Sequence, residues 1–132
     1  YPGVAEVLSA VCASKIKLTV LSNKPHDFTK EMVERYFSRW HFDCVYGARP
    51  DVAKKPDPAA ALEISRELAI APDEFLYVGD TNTDMWTARA AGMFALGVLW
   101  GFRPAEELKA AGAEALIENP LDLLNFLPPS QV

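Results

Sequence analysis

The sequence predicts an α/β protein with a doubly wound parallel sheet. Short β-rich or apolar runs alternate with segments of helical periodicity along the chain. The helical segments are long enough to serve as the crossover connections that parallel strands require. Residues 75–78 are continuously apolar, as is typical of a strand covered on both faces. At 132 residues the chain has the size of one domain, and we expect residues 1–132 to belong to a single core.

The helices are predicted from apolar residues that recur every three or four positions, as Val4, Val7 and Val11 do in the first. Pro58 suits the first position of the third helix, where a missing N–H costs nothing. Gly92 suits the position just after the fourth helix. The predicted helices cover residues 3–14, 26–38, 58 to a break at 71–73, 83–91, 104–110 and 120–127.

The strands are predicted from short runs rich in β-branched, aromatic or aliphatic residues that end at turn-forming residues. Between the second strand and the third helix, residues 47–57 are polar and contain Gly, Pro and Lys, so we expect a loop there. The tail from residue 128 is expected to fray. The predicted strands cover residues 17–21, 42–46, 75–78, 94–98 and 115–117.

Composition excludes several classes of function. The net charge is −5, and no Lys/Arg stripe is long enough to follow a nucleic-acid backbone. No segment approaches the roughly 18 apolar residues of a membrane span. The first residues lack the basic start of a signal peptide. Cys12 and Cys44 have no metal-binding spacing and are expected to be small buried residues in a reducing compartment. We therefore expect a cytosolic protein that binds neither nucleic acid nor membrane.

Two carboxylates follow the apolar third strand. Asp80 occupies the first loop position after Gly79, which we expect to allow a sharp turn, and Asp84 lies in the first turn of the next helix. Ligands of open parallel sheets collect at this end of the strands, and two hard oxygen donors suit Mg²⁺. The alternative is structural: Thr83 or Asp80 caps the helix and Asp84 complements its dipole.

Two further segments carry candidate phosphate contacts. Ser22 and Asn23 end the first strand, where a hydroxyl and backbone N–H groups can hold phosphate oxygens, or simply form a turn. Lys54 and Lys55 precede Pro56 in the sequence KKPDP. A lysine fixed there can neutralise a phosphate or a metal-bound carboxylate, or remain a solvated surface residue.

Three segments together resemble the second, third and fourth motifs of the haloacid dehalogenase superfamily, in particular of its phosphoglycolate-phosphatase-like branch. In chain order these segments are LSNKP, KKPDP and VGDTNTDMWTARAAG. The resemblance covers almost the whole chain and implies the C-terminal part of a Rossmann-like core. It further implies that Ser22 and Asn23 bind the phosphoryl group, and that Lys55, rather than Lys54, stabilises its charge. Asp80 would bind Mg²⁺ directly, and Asp84 would hold the metal's waters or neighbouring groups. These acids favour phosphoryl chemistry over dehalogenation.

The first motif of that superfamily has no match. It would supply two aspartates on the first strand: one attacks phosphorus, and the other protonates the leaving alcohol and then activates water. The cap that follows that strand is also unmatched. Since the strand lies in the middle of the family's sheet, we expect this chain alone to be inactive and poorly stable or rearranged. Either the flanking strands close up, or a missing N-terminal segment or a second chain completes the sheet.

The remaining polar and aromatic candidates are expected to be structural. Asp57 suits a helix cap, and Trp40 and Trp86 are expected to pack. Phe102 and Arg103 follow Trp100-Gly101 in a loop, and a position near the site and an ordinary surface loop are equally open for them. Loops, helix starts and ordinary surface or structural roles account for the others: Asp27, Asp43, Asp51, His26 and His41.

Three functional hypotheses follow from the resemblance. The leading one is a Mg²⁺-dependent phosphatase that acts on a small phosphorylated metabolite such as phosphoglycolate. A phosphosugar mutase core is the alternative within the enzymes, since it shares this core. A non-catalytic module that binds a phosphorylated ligand or a protein is the alternative from another class. The intact lysine and acid motifs argue against that last alternative, because loss of catalysis removes the constraint that keeps them.

Overall fold

The computed structural model describes residues 2–101 and 103–127, so the expectations for Phe102 and the tail lie outside the described part. Helices and strands alternate, and every strand pairing is parallel. This confirms the predicted α/β class. The helices are α1 Val4–Cys12, α2 His26–Phe37, α3 Ala59–Leu68, α4 Asn82–Ala91 and α5 Ala105–Ala110. The strands are β1 Thr19–Pro25, β2 Cys44–Ala48, β3 Leu76–Gly79, β4 Phe94–Val98 and β5 Ala115–Ile117.

The elements fall into two compact units. One comprises the chain up to Asp51 together with the segment from Pro120 onwards, and the other comprises Val52–Asn119. Each unit contains its own parallel sheet: β1 and β2 in the first, and β3, β4 and β5 in the second. Within the described residues β1 therefore pairs with β2 alone, and β3 with β4 alone.

In the first unit, α2 packs on both strands and α1 packs against a 3-10 helix, Pro120–Phe126, where a last α-helix was predicted. Strand β1 continues to Pro25, beyond its predicted end at Leu21. Leu21 pairs with Tyr46 and Pro25 with Ala48, so β1 uses four residues over the length that β2 covers with two. The LSNKP segment is thus an irregular stretch that bulges out of the strand.

The second unit holds the larger core. Strand β4 lies between β3 and β5, and α4 packs on β3 and β4. Met85 and Ala88 of α4, Leu96 of β4 and Leu108 of α5 are completely buried. Helix α4 ends at Ala91 and is capped by Gly92, which adopts the left-handed conformation with φ of 77°, as the sequence predicted. The core thus fixes the start of α4 against the end of β3.

The described helices include none with both the length and the apolar character that a membrane crossing demands. The helix predicted to open at Pro58 begins one residue later, and Pro58 itself is the residue before its first turn. The carboxylate of Asp57 accepts a hydrogen bond from the N–H of Ala59 at 2.8 Å. Asp57 therefore satisfies a free N–H at the start of α3, which confirms its predicted capping role.

Candidate functional site

The junction between β3 and α4 carries the two predicted carboxylates. Strand β3 ends at Gly79, and α4 begins at Asn82. The helix is capped by Thr81, whose Oγ1 accepts a hydrogen bond from the N–H of Asp84 at 3.1 Å. The structural alternative, in which Thr83 or Asp80 caps this helix, was wrong, because the chain remains extended at Thr81 and enters the helix directly after it.

Asp84 is held by two partners and is buried, with 8% of its surface exposed. Its Oδ1 lies 2.8 Å from the ammonium of Lys55, and its Oδ2 accepts a hydrogen bond from the N–H of Asp80 at 3.2 Å. The side chains of Lys55 and Asp84 are only 12% and 11% exposed. Asp84 therefore ties the KKPDP loop to the end of β3, a stronger role than complementing a helix dipole.

The two lysines of the KKPDP segment differ in their surroundings. Lys54 is exposed, and its carbonyl accepts a hydrogen bond from the N–H of Asp57 at 3.0 Å, which closes a turn. That turn directs the side chain of Lys55 inward to Asp84. Lys55 is therefore not a solvated surface lysine, and it is the better candidate for chemistry at this site.

Gly79 is required for space and not for a turn. Its φ does not lie in the left-handed region, and it is the last residue of β3. A Cβ at this position would lie 2.6 Å from both Cγ and Oδ2 of Asp84, closer than packed atoms approach. The turn was expected at Gly79, but Gly79 belongs to the strand and the chain bends at Asp80 and Thr81 directly after it. The glycine instead makes room for the Asp84 carboxylate.

Asp80 is the carboxylate suited to bind a cation. Within the described residues its side-chain oxygens take part in no hydrogen bond or ion pair, in contrast to those of Asp84. No group of three His, Cys, Asp or Glu side chains comes together in residues 2–101 and 103–127. Mg²⁺ fits such a sparse donor set, because it binds through one or two carboxylates and keeps several waters.

Tyr77 is a site neighbour that sequence reasoning missed. It lies in β3, and its buried hydroxyl has no hydrogen-bonding partner of good geometry in the described part of the chain. Burial, and then the negative charge of Asp84, raise the pKa of Tyr77 far above its ordinary value, while the hydroxyl of Thr87 offsets part of this rise. No sequence pattern distinguishes Tyr77, because it belongs to a run of apolar strand residues.

Ser22 and Asn23 lie in the first unit, on the bulged part of β1. The hydroxyl of Ser22 accepts a hydrogen bond from the N–H of Lys24 at 3.1 Å, which is a local turn contact. Asn23 is exposed. The bulge thus presents a hydroxyl, an amide and backbone groups away from the regular ladder, an arrangement open to both the turn and the phosphate interpretations.

Two side chains of α2, His26 and Thr29, hold this bulge in place. The Nδ1 atom of His26 accepts a hydrogen bond from the N–H of Gly47 at 3.0 Å, and its ring stacks on Tyr46. The buried hydroxyl of Thr29 donates to the carbonyl of Pro25 at 3.1 Å. His26 therefore has the structural role that the sequence predicted.

Several other candidates also have structural contacts. The carboxylate of Asp43 accepts a hydrogen bond from the N–H of Leu18 at 2.9 Å, and His41 lies 3.4 Å from the same carboxylate. Trp40 donates its indole N–H to Ser9 at 3.0 Å. Trp86 is 49% exposed, so the expectation that it packs was wrong; it lies on the outer side of α4, whose other side fills the core.

The loops outside the junction add little to the site. Arg103 lies 3.9 Å from Glu107, one helical turn further along, and the two side chains are 53% and 43% exposed. Asp27 and Asp51 are exposed, as is the thiol-bearing Cys12. Cys44 is buried, so the expectation of buried cysteines was right for Cys44 and wrong for Cys12, which lies at the exposed end of α1.

Comparison with known proteins identifies the class. The profile of the haloacid dehalogenase-like hydrolases matches residues 1–98. The phosphoglycolate phosphatase of Escherichia coli K12 is 31% identical over 127 residues, which are 96% of this chain and 50% of that protein. The phosphoglycolate phosphatase of Salmonella paratyphi A shows the same identity and coverage. The chain thus spans about half the length of these curated relatives.

Solved structures agree with this result. A protein of Lactobacillus delbrueckii subsp. bulgaricus, assigned by prediction as a phosphoglycolate phosphatase, superposes with a TM-score of 0.90 at 29% identity. The match covers 98% of this chain and 54% of that one. A predicted phosphoglycolate phosphatase of Haemophilus somnus gives a TM-score of 0.87 at 25% identity over 96% of this chain and 56% of that one. The chain belongs to the haloacid dehalogenase-like hydrolases, on the phosphoglycolate-phosphatase-like side of the family.

Proposed function

We propose that the chain is the C-terminal core segment of a Mg²⁺-dependent phosphatase that hydrolyses a small phosphomonoester of the phosphoglycolate type. The observation that carries this proposal is the pairing of Lys55 with Asp84 beside Asp80, whose carboxylate has no partner among the described residues. A cation, a fixed carboxylate and an available carboxylate at the carboxyl end of a parallel strand suit a metal-assisted phosphoryl site.

Each side chain has a separate role in this proposal. Asp80 binds the metal directly, and Asp84 fixes the backbone of Asp80 and the ammonium of Lys55. Lys55 stabilises the negative charge of the phosphoryl group. Ser22 and Asn23 hold phosphoryl oxygens from the bulge of β1. Mg²⁺, when bound, supplies neutralisation of the phosphate charge.

The nucleophile is proposed to come from a further segment of chain. An aspartate of that segment forms a bond to phosphorus while the bond to the leaving alcohol breaks, and the alcohol takes up a proton. Water then attacks the phosphorylated aspartate, which releases phosphate and restores the carboxylate. The length of the relatives, about twice that of this chain, supports this part of the proposal.

The outer edge of β3 supports the same proposal. Among the described residues β3 has β4 as its sole strand partner, although it is an apolar strand. Val78 of this strand is 40% exposed. Exposed apolar strands with an open edge are usually covered or paired, because they otherwise recruit other chains. A preceding segment, or a second chain, is therefore proposed to pair with β3, and the chain alone is proposed to be inactive.

Hydrolysis of p-nitrophenyl phosphate tests the proposal, with phosphoglycolate as the second substrate. The assay compares this chain with the product of its complete coding sequence, with and without Mg²⁺. We expect activity from the complete protein that needs Mg²⁺ and falls at least about 100-fold in Asp80→Asn and Lys55→Met. Lys54→Met, which changes an exposed lysine of the same loop, serves as the control and keeps its activity.

The outcomes separate the hypotheses. A complete protein that binds phosphate but never hydrolyses an ester supports the non-catalytic binding module and overturns the phosphatase. A complete protein that isomerises a phosphosugar faster than it releases phosphate supports the mutase. Full activity of Asp80→Asn would mean that hydrolysis does not need this carboxylate, and it would overturn the proposal.

A further inference from the structure

Gly101 lies against the carboxylate that the proposed function assigns to the metal. Strands β3 and β4 are parallel neighbours, with Gly79 paired to Gly97, so the segments that follow them leave the sheet at the same edge. Asp80 follows β3, and Gly101 lies three residues beyond the end of β4. A Cβ at Gly101 would lie 2.5 Å from Cβ and 2.8 Å from Cγ of Asp80.

This proximity leaves no room for any side chain at position 101. The φ of Gly101 is not in the left-handed region, so the requirement is for space and not for backbone freedom. The Asp80 atoms that a new side chain would meet include Cβ, which cannot swing away as the end of a long side chain can. A methyl group at Gly101 must therefore displace the loop after β4 or the Asp80 side chain.

The backbone of Asp80 is restrained by the Asp84 carboxylate. Its N–H donates to Oδ2 of Asp84, and Oδ1 of the same carboxylate is 2.8 Å from the ammonium of Lys55. These two contacts hold the start of the Asp80 loop from one side. The backbone of Gly101 lies against the side chain of Asp80, so Asp80 is restrained at its main chain by Asp84 and at its side chain by Gly101.

We propose that Gly101 is a positioning residue for Asp80: the bare backbone after β4 sets the direction in which the Asp80 carboxylate faces a divalent cation. This inference rests on the proposed function, in which Asp80 is the direct metal ligand. It adds a residue outside the three motifs to the site. Supporting groups behind metal ligands typically change metal affinity by about 10- to 100-fold when they are altered.

Calorimetric titration with MgCl₂ tests the proposal on the wild-type chain, Gly101→Ala and Gly92→Ala. Gly92→Ala is the matched control, because its φ of 77° strains an alanine while its new Cβ would meet only Pro72, 3.9 Å away, within 4 Å. We expect Gly101→Ala to bind Mg²⁺ about 10- to 100-fold more weakly than wild type, and Gly92→Ala to bind as wild type.

A double-mutant cycle in urea tests the contact itself, even where Gly101→Ala folds poorly. Asp80→Gly removes the side chain that the new methyl group would strike, so it should restore the stability lost in Gly101→Ala. Additive losses in the double variant would overturn the proposed contact.

The possible results separate this inference from the proposed function. Equal Mg²⁺ affinity of Gly101→Ala and wild type would overturn the positioning role and leave the phosphatase proposal intact. A wild-type chain and a complete protein that both fail to bind Mg²⁺ would overturn the metal role of Asp80, and the positioning role with it.

Discussion

The ammonium of Lys55 lies 2.8 Å from Oδ1 of Asp84, and both side chains are almost nine-tenths shielded from solvent. The two residues are 29 positions apart, on the loop before α3 and in the first turn of α4. Their contact fixes the loop, the strand end and the helix start to one another. Everything that we propose for the site depends on this pairing, because it leaves Asp80 as the available carboxylate.

Breaking the pair should be costly. In Lys55→Met the carboxylate of Asp84 stays buried without its cation, so we expect the free energy of unfolding to fall by about 3 kcal/mol. Urea denaturation followed by circular dichroism measures this loss. Lys54→Met is the matched control, since Lys54 is exposed in the same turn and should change stability by no more than about 0.5 kcal/mol. Equal urea midpoints for the two variants would contradict the buried ion pair.

The cap of α4 can be tested by comparing two threonines. Thr81→Ala removes the oxygen that accepts the N–H of Asp84, and we expect it to lower the free energy of unfolding by about 1 kcal/mol. Thr83→Ala changes a residue inside the first turn and should shift it by no more than a few tenths of a kcal/mol. Thermal or urea unfolding measures both variants, and a larger loss in the free energy of unfolding for Thr83→Ala would mean that Thr83 caps the helix instead.

The raised pKa of Tyr77 leads us to expect that the folded chain loses stability at alkaline pH. The pKa of Tyr77 is raised in the folded chain, first by burial and then by Asp84, whereas in the unfolded chain it is about 10. The stabilisation is therefore fully present below about pH 10 and is lost as the pH rises above that value, because the unfolded chain releases the proton first. The expected slope is about 1.4 kcal/mol per pH unit from this group.

The alkaline prediction is measured as the difference between wild type and Tyr77→Phe. The urea midpoint of wild type should fall relative to that of the variant as the pH rises from about 9 to about 11. Tyr36→Phe is the control, because Tyr36 is 60% exposed in the folded chain. Parallel pH profiles for wild type and Tyr77→Phe would rule out a buried Tyr77 hydroxyl.

The open edge of β3 predicts that the chain alone is weakly stable. Strand β3 has β4 as its partner in the described part of the chain, and Val78 is 40% exposed. We expect a broad thermal transition at low temperature for this chain, and a sharper one at higher temperature for the product of the complete coding sequence. Calorimetry with size-exclusion chromatography measures both, and a sharply melting monomer of this chain would contradict the prediction.

The sequence predicted the class of fold and the order of elements well, because periodicity and turn residues are local. It placed Asp80 directly after a strand and Asp84 in the first turn of the next helix, which the structure confirms. It misassigned the reason for Gly79, since a clash with Asp84 depends on how the helix start folds back. It missed Gly101 entirely, because its contact with Asp80 spans 21 positions and leaves no periodic trace.

The division into two sheets also lay beyond sequence reasoning. Local patterns identify strands but do not say which edges meet, and the pairing of β1 with β2 and of β3 with β4 is set by long-range packing. Likewise, the sequence does not distinguish Tyr77 from the other apolar strand residues, because its proximity to the charge of Asp84 depends on the fold. Contacts between distant residues therefore account for most of what the sequence left open.

The most direct test of the central claim is a titration of the ¹⁵N-labelled chain with Mn²⁺, a paramagnetic substitute for Mg²⁺ at carboxylate sites. We predict that the amide signals of residues 79–84 broaden first, followed by that of Lys55, and that Asp80→Asn removes this selective broadening. Selective broadening at another acidic region, such as Asp43 or Glu114, or uniform broadening that persists in Asp80→Asn, would contradict the account.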